Sequence, residues 1–299
     1  EDLVCILQKC RKKRNPKYAR HIHMHLLKHG MESHRVIGNH LVPMLVECGC
    51  LSEARALFDR LLFRNEHSWT SLIQGYNDSG FSQNAFSLLE RMQENGVKPS
   101  RHTYVALLKA CAKLKELEVG QNLHTEIIKE NLENDMFIGN ILVVMYAKCD
   151  AMSESMYLFD TLHVRTLMTW NALMIGYACK GDSDHVFSMF ERMQEEGTKP
   201  DGVTLLNILS VCNHDGLVDK GYKCFELFDA YGIIPMIEHY NSILDLLGRC
   251  GKLNEAFAMI DNLSIQLNQV VCNTILSACQ KWGDVEIGLH MFEHATEVE

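Results

Sequence analysis

A chain of 299 residues can hold two ordinary domains or one extended array, and its 47% apolar content supports a large buried core. The formal net charge of −9, taken alone, counts against a nucleic-acid partner, and no stretch reaches the ~18 uninterrupted apolar residues of a membrane span. Twelve cysteines are too sparse to define a disulfide scaffold, and no Cys-x-x-Cys occurs, which removes the commonest zinc and redox signatures.

Five prolines and few β-branched runs favour helix. The chain opens on EDLVCILQKC, which reads as the interior of a folded unit rather than a signal or transit segment, so a fragment or processed product is expected. RKKRNPK at 11–17 is the one dense basic run, either a solvated helix-turn or a phosphate contact. SWTSLIQGY at 68–76 leads into RMQENGVKPS at 91–100. LLKACAKLKELEVGQNLHTEIIK follows at 107–129, GNILVVMYAKC at 139–149 and LFDTLHVRT at 158–166. TWNALMIGY at 169–177 then restates the phrase of 68–76, and RMQEEGTKPD at 192–201 restates that of 91–100. IEHYNSILDLLGRCGKLNEA at 237–256 and VVCNTILSACQKWGDVEIG at 270–288 complete the series.

These restatements share one interval. Cys10, Cys111 and Cys212 are 101 residues apart, as are Asn39, Asn140 and Asn241, and the pairs Trp69 and Trp170, Gly96 and Gly197, Pro99 and Pro200. Such a period marks a repeat architecture. Dividing at the recurrent ends gives segments 1–34, 35–65, 66–100, 101–135, 136–166, 167–201, 202–236, 237–268 and 269–299. Each reads as two short antiparallel helices. In 167–201, Trp170, Leu173, Met174 and Tyr177 form one apolar stripe. Gly181 ends the first helix, Asp182 or Ser183 can cap the second, and Val186, Phe187, Phe190 and Met193 line its inner side. Gly197 and Pro200 end it. A hairpin this small buries its stripe only by stacking on neighbours, so the expected fold is all-α, an α-solenoid of stacked helix-turn-helix repeats.

The segments resemble pentatricopeptide repeats of the plant subclass in which long, short and standard motifs alternate. Residues 107–129 look like the long motif, 139–149 like the short one, and SWTSLIQGY through GVKP like the standard one. In that scheme 1–34 is a partial long motif, 35–65 short, 66–100 standard, 101–135 long, 136–166 short, 167–201 standard, 202–236 long, 237–268 a final short motif and 269–299 a partial E-type tail. The resemblance implies a right-handed superhelix that binds single-stranded RNA, one base per repeat, read by the fifth and last residues of each segment. The implied pairs are Asn39/Asn65, Thr70/Ser100, Val105/Asp135, Asn140/Thr166, Asn171/Asp201, Leu206/Met236 and Asn241/Asn268. From 5′ to 3′ they imply pyrimidine, weak purine, no preference, pyrimidine, uridine, no preference and pyrimidine. A carboxamide offers both donor and acceptor, whereas an ionised Asp201 accepts only and suits the N3–H of uracil. Val105 and Leu206 depart from the polar pattern. The alternative for the recurrent asparagines is a helix N-terminal role. The second residue of each segment is expected to wedge between bases; Val36, Phe137, Met168 and Val203 fit, whereas His67, His102 and Glu238 do not.

Other motifs carry less. His124-Thr-Glu126 is half of a zinc-deaminase signature whose Pro-Cys-x-x-Cys half is missing. His21 and His25 in HIHMH have chelating spacing but no matching third donor. Cys10, Cys111, Cys212 and Cys279 share one place in four segments, which points to packing. No nucleophile elbow or phosphate loop occurs, so neither catalysis, a cofactor nor a small-molecule substrate is expected. The resemblance implies the site-recognition part of a C-to-U RNA editing factor in a mitochondrion or chloroplast, with a deaminase domain or editing cofactor proteins acting in trans. Transcript stabilisation, processing or splicing is the alternative within RNA biology, and a protein-binding scaffold the alternative outside it. The net charge predicts modest affinity and a shallow salt dependence.

Overall fold

The computed structural model of the chain describes residues 3–261 and 269–297. It contains eighteen α-helices among the described residues, arranged as successive hairpins. Two compact units are present, Glu1–Val164 and Arg165–Glu299. In the first, the hairpins are α1 (Leu3–Lys13) with α2 (Pro16–Lys28), α3 (Arg35–Glu47) with α4 (Leu51–Arg60), and α5 (Glu66–Asp78) with α6 (Ser82–Glu94). They continue with α7 (Arg101–Leu114) and α8 (Leu117–Lys129), then α9 (Met136–Lys148) and α10 (Met152–Thr161). The second unit holds α11 (Leu167–Cys179) with α12 (Ser183–Glu195), and α13 (Gly202–Asp215) with α14 (Val218–Tyr231). It ends in α15 (Ile237–Arg249) with α16 (Leu253–Asp261), and α17 (Gln269–Trp282) with α18 (Val285–Glu297).

Within each unit the first helices of the hairpins pack on one another in a row, and each second helix packs on its own partner and on the next first helix. The first helices are therefore enclosed on most sides. Trp69 and Trp170 are fully buried, and the edge of Trp69 meets Phe58 at 4.6 Å between ring centroids. In α11, Trp170, Leu173 and Met174 are buried as the stripe requires, while Tyr177 is half-buried and stacks on His185 at 4.6 Å. In α12, Val186, Phe190 and Met193 are buried. The fourth core place belongs to Met189 rather than Phe187, whose ring lies half-exposed 3.7 Å beneath the Lys220 ammonium of α14. A cation–π contact of this kind holds an aromatic at a repeat edge without burying it.

Local chemistry explains how the hairpins close. Asp182 caps α12 by accepting the His185 N–H at 3.2 Å, and Gly197 takes φ 74°, the left-handed conformation that favours glycine. Cys10, Cys111, Cys212 and Cys279 are all buried in the first-helix row, and burial pushes the Cys111 and Cys212 thiols up to about 12 and about 11. They stay protonated and act as small apolar groups. A further pair at the same interval reinforces the stack. The Cys48 thiol lies 3.8 Å from the Cys10 carbonyl, and the Cys149 thiol 3.8 Å from the Cys111 carbonyl. Gly38 and Gly139 sit in the first turns of α3 and α9, where a Cβ would lie 2.6 Å from the Glu32 carbonyl oxygen and 2.6 Å from Leu162 respectively. The missing side chain lets Leu61 and Leu162 close over the helix and delivers the following loop to the first-helix row.

Candidate nucleic-acid interface

The loops before α5, α9, α11 and α13 each end in a residue whose side chain caps the helix that follows. Asn65 accepts the Ser68 N–H at 2.9 Å, Asp135 the Phe137 N–H at 2.9 Å, Thr166 the Thr169 N–H at 3.4 Å and Asp201 the Thr204 N–H at 2.9 Å. Capping thus belongs to the last residue of these segments. The recurrent asparagines do not cap: the N-caps of α3, α9 and α11 are His34, Asp135 and Thr166. Asn39 and Asn140 instead donate Nδ2 to the carbonyl four residues back, at 2.7 Å in each case. Their helix-terminal alternative is corrected on this point, because a residue four positions inside a helix lies past the free N–H groups of its own first turn.

The pairs differ in how much polar capacity remains. Asn39 is buried and saturated: Nδ2 donates to Arg35 O and to Phe63 O at 2.9 Å, while Oδ1 accepts from Asn65 N at 2.9 Å and Ser68 Oγ at 2.7 Å. Asn65 is exposed and is the freer member. Thr70 and Ser100 share a third partner that residue counting misses. Both hydroxyls donate to Glu66 Oε1, at 3.0 and 2.5 Å, which places a carboxylate inside that pair. Its only sequence signal is the i, i+4 spacing from Glu66 to Thr70. Val105 makes no polar pair with Asp135, whose carboxylate caps α9 and meets Arg101 at 3.3 Å. Asn140 donates to Val164 O at 3.1 Å, while Thr166 belongs to the other unit.

Asn171 and Asp201 bond each other directly, Nδ2 to Oδ1, at 3.0 Å. Burial pushes the Asp201 carboxyl up, but the Thr204 N–H, the Asn171 amide and the Thr204 hydroxyl together hold it below the ordinary carboxylate range. It is ionised at neutral pH, and Oδ2 has no protein partner among the described residues. Leu206 is half-buried and Met236 exposed, so that pair offers no hydrogen-bonding group. Asn241 Oδ1 is buried without a partner among the described residues, and Asn268 lies outside them.

Each unit also exposes apolar side chains at the second place of its segments. Val36, Phe137, Met168 and Val203 are between 46% and 57% exposed. Val270, 56% exposed at the second place of 269–299, joins them; counting from residue 269 would have found it. The Phe137 ring lies 5.1 Å from the Arg101 guanidinium. In the N-terminal unit, α1, α3, α5 and α7 line a cavity of about 690 Å³ that contains Arg11, Arg14, Lys109, Glu47, Glu66 and Asp78. Arg11 bonds Glu47 at 2.5 Å and His67 at 3.1 Å, so part of the basic run turns inward. His21 and His25 are exposed, and His25 lies 4.6 Å from His29 between ring centroids. His23 is buried against Glu32 at 3.3 Å, and His124 Nδ1 lies 3.0 Å from the Tyr146 hydroxyl.

Helical hairpins stacked through their first helices define an α-solenoid. A PPR repeat family model matches residues 64–113, and a PPR repeat model matches 168–198 and 238–263. The chain belongs to the pentatricopeptide repeat family. It is 34% identical over 282 residues to a pentatricopeptide repeat-containing protein of Arabidopsis thaliana, covering 94% of this chain and 28% of that protein. A chloroplastic relative from the same plant is 32% identical over 300 residues, covering 99% of this chain and 40% of its own length, and a mitochondrial one is 34% identical over 283 residues, covering 88% and 31%. The chain therefore spans well under half the length of these relatives. Among solved structures, it resembles the maize pentatricopeptide repeat protein PPR10 at TM-score 0.72 and 19% identity, covering 100% of this chain and 44% of that one. The resemblance to PPR10 in complex with an 18-nt psaJ RNA element has TM-score 0.78 and 18% identity, covering 94% and 42%.

Proposed function

We infer that the chain binds single-stranded RNA, one nucleotide per hairpin, as the recognition part of a longer plant organellar protein. The observation that carries this reading is the Asn171–Asp201 pair. It leaves an unpartnered carboxylate oxygen and a spare amide hydrogen beside the exposed Met168 and Val203. Uracil matches that offer: N3–H donates to Asp201 Oδ2, and a ring carbonyl accepts from Asn171 Nδ2. The apolar residues on either side supply stacking surface, worth roughly 1–3 kcal/mol per base. The PPR10 complex supports RNA as the ligand class, and relatives named mitochondrial and chloroplastic support an organelle. The alternation of long, short and standard motifs favours site recognition for C-to-U editing, with hydrolysis supplied by another domain or protein.

The net charge does not oppose this reading, because local arrangement sets the field in the groove. Arg14 and Lys109 line the N-terminal cavity without a carboxylate partner among the described residues, whereas Arg11 is neutralised by Glu47. Two free cations predict a slope of log affinity against log salt of about −1 to −2. Filter binding to an RNA carrying the implied base pattern, repeated over a salt series, measures it. Absence of saturable binding would contradict the RNA reading and favour a protein-binding scaffold. A slope steeper than about −4 would place affinity in phosphate contacts rather than in bases.

A further inference from the structure

In three segments the third residue bonds both members of the preceding pair. Ser68 Oγ donates to Asn39 Oδ1 at 2.7 Å and lies 2.9 Å from the Asn65 carbonyl. Thr103 Oγ1 lies 2.7 Å from the Thr70 hydroxyl and 3.3 Å from that of Ser100, and accepts the Ser100 N–H at 3.1 Å. Thr204 Oγ1 lies 2.7 Å from Asn171 Oδ1 and 2.9 Å from Asp201 Oδ1, and accepts the Asp201 N–H at 3.2 Å. All three hydroxyl residues are fully buried, so none can itself reach a ligand. Where the preceding pair lacks a polar fifth residue, the hydroxyl is gone as well. Ile138 follows Val105/Asp135, and His239 follows Leu206/Met236. His239 Nδ1 accepts the Met236 N–H at 2.8 Å, which puts its hydrogen on Nε2 to donate to Gly202 O at 2.9 Å; the ring closes the cap and serves no pair.

This arrangement fixes which way the carboxamide faces. With the Thr204 hydroxyl on its Oδ1, Asn171 must turn Nδ2 toward Asp201. The flipped amide would set two acceptor oxygens against each other at about the 3.0 Å that now separates donor from acceptor. Orientation matters because uridine and cytidine present opposite patterns on the same edge: N3–H and O4 in one, N3 and an amino group in the other. Resting on the RNA reading above, we propose that Thr204 is a positioning residue for base discrimination. It holds Asn171 and Asp201 in the state that accepts uridine and rejects cytidine.

The test compares wild type, Thr204→Val and Thr204→Ser on RNAs that differ only by U or C opposite Asn171/Asp201. Thr204→Val is expected to reduce the U-to-C affinity ratio by about fivefold or more, and Thr204→Ser to restore it to within about twofold. Selectivity opposite Asn39/Asn65 stays at the wild-type value. Thr204→Ala removes the same hydroxyl without adding a second methyl, so a packing defect in one variant leaves the second. A wild-type U preference that survives both Thr204→Val and Thr204→Ala, with all RNAs weakened equally, would overturn this inference alone. A wild-type chain that binds U and C alike would overturn the uridine reading of Asn171/Asp201 together with it.

Discussion

Trp69→Ala is expected to destabilise the N-terminal unit by about 3–5 kcal/mol, because a fully buried indole leaves a cavity that a stacked helix row cannot close. Trp69 lies among Phe58, whose ring it meets edge-on, and the Arg91 guanidinium, 5.9 Å from its ring. The loss falls at a junction between hairpins, where the stability of a repeat protein resides. Trp69→Phe separates the contributing effects. The indole N–H has no partner among the described residues, and phenylalanine removes that orphan donor while filling most of the space. Its cost is expected to be less than half that of alanine. Urea unfolding followed by helical ellipticity measures both, and equal losses for the two variants would contradict this account of the packing.

The second large effect is expected from Asn39→Ala, at about 2–3 kcal/mol. Four hydrogen bonds disappear at once, linking the first turn of α3, the 63–65 loop and the first turn of α5. Asn65→Ala removes only the α5 cap and is expected to cost about 1 kcal/mol. The contrast is informative because a reading pair with no structural duty would give two small, similar values. The same urea experiment decides between them.

The solenoid was legible in the sequence because stacking forces each hairpin to reuse one set of apolar and turn residues. Cys10, Cys111 and Cys212 keep one interval for that reason, and all are buried. Polar bonding was less legible. Counting assigned Asn39 and Asn171 the same place, yet the structure saturates the first and leaves the second with spare capacity. The difference comes from the loop carbonyl of Phe63, which a fold-back over Gly38 brings within reach of Asn39. Its local signal is the Gly-Asn step, which recurs as Gly139-Asn140 with Asn140 donating to Val164 O, and which Trp170-Asn171 lacks. Glu66 was missed because an acidic residue in a first helical turn ordinarily marks a favourable dipole contact rather than a member of a polar cluster. Phe187 misled for another reason, since periodicity places it inward and only Lys220 from the next hairpin makes the exposed position acceptable.

Base reading is the central claim, and its most direct measurement is the affinity of the wild-type chain for two short RNAs of the implied pattern. One carries uridine opposite Asn171/Asp201 and the other adenosine there, with all else unchanged. The account predicts about tenfold or more weaker binding for adenosine, because adenine places an unprotonated N1 where uracil places N3–H and so sets a lone pair against Asp201 Oδ2. Equal affinity for the two RNAs would contradict it.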